Sequence, residues 1–249
     1  YLISTSFVIL SLFIFGSYEI NKNKKILSKI DGKIFVKIIS PNFDLEYGLN
    51  EKKIEERFKK LIRFSDPNKN KRTLFIWPEG VFSGYSYDKI LTFKKMISKH
   101  FSNKHIIIFG TNRLDPKSGN FYNSMLAVDN NLRIIQTYDK RKLVPFGEFL
   151  PLENILNKFG LKKITEGHGS FLRGVKNNNL KIDKLNILPL ICYEVIFTDL
   201  IQKSDENTNL IINISEDGWF GKTIGPDQHF SKSIFRAIEN NTFLLRSTN

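Results

Sequence analysis

The first feature of the chain is an uncharged run, Tyr1 to Tyr18 (YLISTSFVILSLFIFGSY). As a helix rising about 1.5 Å per residue, this run spans roughly 27 Å, enough to cross the hydrocarbon core of a bilayer. It lacks the basic start and small-residue cleavage site of a signal peptide. Residues 1–20 are therefore expected to form a transmembrane helix. Lys22, Lys24, Lys25 and Lys29 follow it. Taken alone, the positive-inside rule would put the next residues in the cytoplasm, but lysine is common throughout this chain. The chain starts at Tyr1 rather than Met and stops at Asn249, directly after the apolar run TFLLRS. It is expected to be an internal piece of a longer membrane protein, with residues 1–20 closing a truncated membrane domain and residues 30–249 forming a catalytic domain incomplete at its C-terminus.

Past the basic flank, periods of two and of 3.6 residues alternate. KIFVKII (33–39) and TLFIW (73–77) read as strands. Between them, Ile54, Phe58, Leu61 and Ile62 fall on one face of a helix over 51–64, with the charges opposite. A second helix over 89–101 presents Ile90, Phe93 and Ile97. Strands are expected at 105–109, 124–128 and 132–138, the last two joined by a DNN turn as a hairpin. Further strands are expected at 185–191, 209–214 and 242–247, with a helix over 227–240. This mixture predicts an α+β domain, a sheet of mixed strand direction covered by helices.

Composition narrows the function. Hydrophobic content of 41% with 13% aromatic residues supplies a packed core and excludes a disordered tail. A single cysteine excludes a disulfide framework and a cysteine-based zinc site. The histidines (His100, His105, His168, His229) show no metal-binding spacing. No glycine-rich phosphate loop occurs, so neither a metal nor a nucleotide cofactor is expected. The net charge of +13 comes from lysines spread over the whole chain rather than from an arginine cluster, which argues against nucleic acid as a partner. A basic face toward anionic lipid remains compatible with it.

Three reactive side chains lie immediately past apolar strands: Glu79 in WPEG, Lys140 in YDKRKLVPFGE and Cys192 in ICYE. Strand ends that converge on one sheet edge aim side chains from distant positions at one point. A carboxylate can take the thiol proton, a fixed ammonium stabilises thiolate and oxyanion, and the sulfur then attacks a carbonyl. Acyl transfer through a thioester is the reaction this set would run. Separately, each residue has a plainer reading: a lone cysteine as a small buried hydrophobe, a lysine as one of many on the surface.

The ordered series WPEG, YDKRKLVPFGEFLP, ICYEVIF, NISEDGWFG and GPDQHF resembles the motifs of the nitrilase (carbon–nitrogen hydrolase) superfamily. More narrowly, LVPFGE with CYE and WFG behind an apolar helix is similar to the apolipoprotein N-acyltransferase family. That resemblance implies a four-layer αββα sandwich preceded by a transmembrane helix. It implies an inner-membrane, multi-pass protein whose catalytic domain faces the periplasm, with no cofactor. Its partners would be a phospholipid acyl donor and a diacylglyceryl-modified apolipoprotein acceptor. Carried over residue by residue, Glu79 is the general base, Lys140 the oxyanion stabiliser and Cys192 the nucleophile. Glu148 matches a second carboxylate that holds Lys140 or relays protons, and Tyr193 and Glu194 match further functional positions. Tyr47 falls near a functional aromatic. Trp219 and Phe220 are candidates for substrate contact, with packing as the favoured alternative, and His229 reads as a structural hydrogen-bonding residue. Glu216 and Gly218 depart from the family pattern, which carries Asn and Ala there. Two other functions fit parts of the chain: an amidase or nitrilase using the same trio on a small amide, and a basic lipid- or nucleic-acid-binding module.

Overall fold

In the computed structural model, which describes residues 1–27, 34–46, 48–152, 170–175, 179–202, 205 and 207–249, the opening apolar run forms one helix, α1 (Leu2–Leu27). It belongs to a unit of its own, Tyr1–Ile34, separate from the unit Phe35–Asn249. Its stretch Leu2–Lys22 is long and apolar enough to cross a membrane, about 31 Å as a helix, and none of it is buried.

The second unit is built on two sheets, where the hydrophobic pattern alone predicted one. The larger has the order β1 (Phe35–Ile38), β2 (Thr73–Ile76), β3 (His105–Leu114), β4 (Phe121–Val128), β5 (Ile134–Asp139). β1, β2 and β3 run parallel, and β3–β4 and β4–β5 are antiparallel pairs. The smaller has the order β6 (Leu180–Ile182), β7 (Leu185–Ile191), β8 (Leu210–Ser215), β9 (Phe243–Thr248), antiparallel at β6–β7 and parallel beyond. β6 escapes a periodicity search because three residues are too few to show a period.

Alternation along the strands explains the layers. Phe75, Trp77, Ile107, Phe109, Leu126 and Val128 point to one face of the larger sheet. There they pack against Ile54, Phe58, Leu61 and Ile62 of α2 (Glu51–Ser65), the four positions its helical spacing marks out. α2 starts where the Asn50 side chain accepts from Lys53 N at 2.9 Å and stops at Asp66, whose φ of 39° is left-handed. The helix expected over 89–101 is instead α3 (Tyr87–Ile90), a 3₁₀ turn (Leu91–Phe93) and α4 (Lys94–His100). At that break the Thr92 hydroxyl bonds back to the Lys89 carbonyl at 2.8 Å, and Ile90, Phe93 and Ile97 still reach the core.

The opposite parity, Leu74, Ile76, Ile108, Met125 and Ala127, is equally buried and faces the smaller sheet. A Cβ on Gly110 would lie 3.1 Å from the Ile214 side chain, and the buried Ser247 hydroxyl of β9 donates to Ile39 and Ile76 carbonyls. On its outer face the smaller sheet packs Leu188, Leu190 and Ile211 against Leu200 and Ile201 of α5 (Thr198–Gln202). α6 (Gly225–Glu239) follows β8 and leads into β9. Helices, sheet, sheet and helices make the four-layer αββα sandwich.

Candidate active site

Topology alone brings the reactive residues together. β5 is antiparallel to β4, which is antiparallel to β3, so β5 runs with β2 and their C-terminal ends share one edge. Glu79 lies just past β2 and Lys140 just past β5. β7 and β8 run parallel in the other sheet, which carries Cys192 and Ser215–Glu216 to a common edge as well. The reactive set therefore joins two facing sheets rather than lining one sheet edge, the arrangement expected from the strand pattern.

Lys140 is 1% exposed, and its Nζ lies 2.9 Å from Glu148 Oε1 and 3.5 Å from Glu79 Oε1. Burial by itself would pull its pKa down, but Glu148 and Glu79 outweigh that and hold the ammonium well above its ordinary value. Asn123, on β4, donates from Nδ2 to both carboxylates at 2.7 Å. The other Glu148 oxygen accepts from Val144 N at 2.9 Å, and the other Glu79 oxygen from Glu216 N at 3.3 Å. Glu148 is thus the nearer of the two carboxylates beside Lys140. Asn123 was not among the expected residues, although a polar side chain inside the apolar run FYNSMLAV is a signal that could have marked it.

Cys192 is buried at the start of a 3₁₀ turn, Cys192–Ile196, with a φ of 53°. A side chain in this left-handed region costs about 1–2 kcal/mol, so the turn is held by its surroundings. Glu194 does much of that holding. Wholly buried, it accepts from the backbone N–H of Ile191 (2.9 Å), Arg141 (2.7 Å) and Lys142 (3.0 Å) and from the Tyr138 hydroxyl (3.0 Å). One carboxylate thus ties the turn after β7 to the loop after β5, fixing Cys192 relative to Lys140. Burial raises the Glu194 pKa against those donors. The Cys192 thiol is pushed up to about 12, first by burial and then by Glu79, with Lys140 and the neighbouring Ser215 hydroxyl pulling the other way. It is a protonated thiol at neutral pH.

Glu79, Lys140, Glu148, Cys192 and Tyr193 line one cavity of about 430 Å³. Tyr193 donates to the Leu143 carbonyl at 2.6 Å, and the Lys140 ammonium sits 5.7 Å from its ring centroid. Phe82, Val144, Pro145, Phe171, Trp219 and Phe220 supply apolar wall. Trp219 is 44% exposed at this wall rather than packed in a core, and Phe220 meets His229 edge-on at 5.7 Å. Tyr47 lies outside the described residues. Glu216 is 3% exposed and also borders the cavity, with its carboxylate against Gly80, where a φ of 75° and the absence of a Cβ make room. His229 is buried and bonds Asp217 at 3.1 Å. Among the described residues no cluster of His, Cys, Asp and Glu has metal-binding geometry.

Comparison with known proteins agrees with this architecture. The carbon–nitrogen hydrolase family model matches residues 45–249. The chain is 31% identical over 255 residues to the apolipoprotein N-acyltransferase of Rhodopseudomonas palustris, covering 97% of this chain and 47% of the relative. It is 35% identical over 225 residues to that of Wigglesworthia glossinidia brevipalpis, covering 86% and 44%. The chain thus spans about half the length of the relatives it matches. Among solved structures, a nitrilase-superfamily protein of Saccharomyces cerevisiae superposes with a TM-score of 0.60 at 17% identity, covering 86% of this chain and 75% of that one. A carbon–nitrogen hydrolase of Helicobacter pylori gives 0.60 at 14% identity, covering 86% and 73%.

Proposed function

This chain belongs to the carbon–nitrogen hydrolase family, and we propose that it is the catalytic portion of an N-acyltransferase. In this reading it moves an acyl chain from a phospholipid, through a thioester on Cys192, to the α-amino group of an apolipoprotein's N-terminal diacylglyceryl-cysteine. The observation that carries the reading is the meeting of Glu79, Lys140 and Cys192 in one largely apolar cavity. The names of the relatives supply the reaction, N-acyl transfer, and the acceptor class, an apolipoprotein.

Each step uses a group already in place. Glu79 takes the thiol proton as the sulfur attacks the ester carbonyl of the phospholipid. The oxyanion that forms is stabilised by the Lys140 ammonium, kept charged and oriented by Glu148. Collapse breaks the ester bond, and the leaving lysophospholipid alkoxide recovers the proton from Glu79. The acceptor amine then attacks the thioester carbonyl and gives a proton to Glu79. Expulsion of the sulfur, which takes that proton back, leaves an amide and a free thiol. The bound acyl chain lies against the Phe and Trp wall, where burying each CH₂ contributes about 0.8 kcal/mol. α1 spans the inner membrane of a multi-pass protein, and residues 35–249 act on its periplasmic side.

Intact-protein mass measurement tests this. Purified protein given phosphatidylethanolamine and no acceptor is expected to gain one acyl chain, and Cys192→Ala none. Lys140→Ala and Glu79→Ala are expected to lose the adduct while keeping their circular dichroism. An unmodified wild type overturns the acyltransferase reading. Hydrolysis of a small amide without any lipid requirement replaces it with an amidase.

A further inference from the structure

We propose that the Ser215 hydroxyl is the hydrogen-bond donor that receives the Cys192 thiolate, switching to the sulfur from Asp217 when the thiol proton leaves. The inference rests on the reading of Cys192 as nucleophile. β7 and β8 are parallel with Ile191 opposite Ile214, so the next residues, Cys192 and Ser215, stand abreast where the two strands end. Ser215 is wholly buried, and its Oγ donates to Asp217 Oδ1 at 2.7 Å, while the same hydroxyl draws the neighbouring thiol's pKa down. A hydroxyl has one proton to give. With the sulfur protonated, that proton serves Asp217. Once the sulfur is an anion, the proton has a second charged acceptor beside it.

Asp217 is built to release it. Its carboxylate accepts from Arg246 Nη2 at 2.9 and 2.8 Å and sits 3.1 Å from His229 Nδ1, so its charge stays compensated without the serine. Arg246 also bonds the Asn213 side-chain oxygen, and Asn213 Nδ2 donates to the Cys192 carbonyl at 3.1 Å. One guanidinium therefore anchors both the nucleophile's backbone and the serine's alternative acceptor. Glu79 and Glu148 oppose a thiolate, and the ammonium of Lys140 is already engaged by both carboxylates. Ser215 adds a neutral donor next to the sulfur. The proton count is simple: the thiol proton goes to Glu79, the Ser215 O–H rotates without transferring its proton, and Asp217 gives up one of its hydrogen bonds.

Cys192 is the only cysteine of the chain, so its rate of alkylation by iodoacetamide reports it alone. Removing a hydrogen bond to a charged group is expected to raise the thiol pKa by about one to two units in Ser215→Ala. At a fixed, mildly alkaline pH the variant then alkylates roughly three- to tenfold more slowly, since a more basic sulfur offsets part of the fall in thiolate. A merely structural role predicts the opposite sign, because loosening a buried thiol exposes it and speeds alkylation. Wild-type or faster alkylation of a folded Ser215→Ala variant overturns the proposal. The measurement needs no lipid and no acceptor, so its outcome is separate from that of the acyl-adduct experiment.

Discussion

Replacing Glu148 by Gln keeps the size of the side chain and removes the charge that most favours the Lys140 ammonium. The substitution abolishes the 2.9 Å ion pair with Lys140 and leaves Glu79, at 3.5 Å, to balance the ammonium. With both partners nearly inaccessible, solvent screens little of this, and breaking such a buried pair costs about 3–5 kcal/mol. The lower end applies, about 3 kcal/mol, because the amide oxygen still accepts from Lys140 and Glu79 still supplies a charge. The amide must then aim its NH₂ at Val144 N, a donor that Glu148 Oε2 accepts at 2.9 Å in the native protein. Gln cannot satisfy Lys140 and Val144 together. For a domain of this size, 1 kcal/mol moves the melting temperature by about 2–4 °C, so Glu148→Gln should melt roughly 6–12 °C below the wild type. Displacement of the ammonium from the oxyanion position should lower acyl-adduct formation by about 10²–10³-fold. A melting temperature within about 2 °C of wild type, together with normal adduct formation, refutes the view that Glu148 holds Lys140.

Two pH experiments address the carboxylates beside the cavity. Burial, with Glu79 nearby, raises the Glu216 pKa from 4.5 to about 7, so the fold favours its protonated form. Its contribution is complete below about pH 4.5 and is lost as the pH rises through about 7, a difference of about 3 kcal/mol. Denaturant midpoints should fall across that window in the wild type and stay nearly level in Glu216→Gln; parallel curves refute the assignment. Burial also acts to raise Asp217, but His229 and Arg246 overcome it and hold the carboxyl down at about 2, against an ordinary 3.8. This contribution, about 2 kcal/mol, is present above pH 3.8 and disappears as the pH falls through about 2. The stability gap between wild type and Asp217→Asn should therefore close on acidification, and a gap independent of pH refutes the assignment.

Elements were legible in the sequence where they had a period to show. The α2 face of Ile54, Phe58, Leu61 and Ile62 packs as its spacing requires, and the DNN turn joins β4 to β5. The division into two sheets was not legible from alternation, since strands buried on both faces read alike whichever sheet they join. That division came through the motif resemblance instead. The candidate site follows the same rule. Glu79, Lys140 and Cys192 stand out as reactive types at strand ends. Asn123 and Ser215 are ordinary polar residues: the meaning of Asn123 appears only when β4 lies beside the segments carrying Glu79 and Glu148, and that of Ser215 when β8 ends beside β7. Glu194 was visible as a neighbour of Cys192, but its work of clamping Arg141 and Lys142 depends on hydrogen bonds to residues some fifty positions away.

The charge of the cavity bears on why Cys192 rests as a thiol. Lys140 is shared between two acidic side chains, Glu79 and Glu148, and both of these oppose a further anion at the sulfur. A resting thiolate would place another charge in a buried site, and burial is the first reason the thiol is pushed up to about 12. Passing the proton to Glu79 leaves the total unchanged, since one carboxylate becomes neutral as the sulfur becomes charged. In the proposed mechanism deprotonation is coupled to transfer onto Glu79, and the new anion needs donors at the sulfur itself. Lys140, from the larger sheet, and Ser215, from the smaller, are the donors that the proposal assigns. On that reading the sulfur gains its full nucleophilicity only as its proton moves to Glu79 and an incoming carbonyl takes up the developing charge.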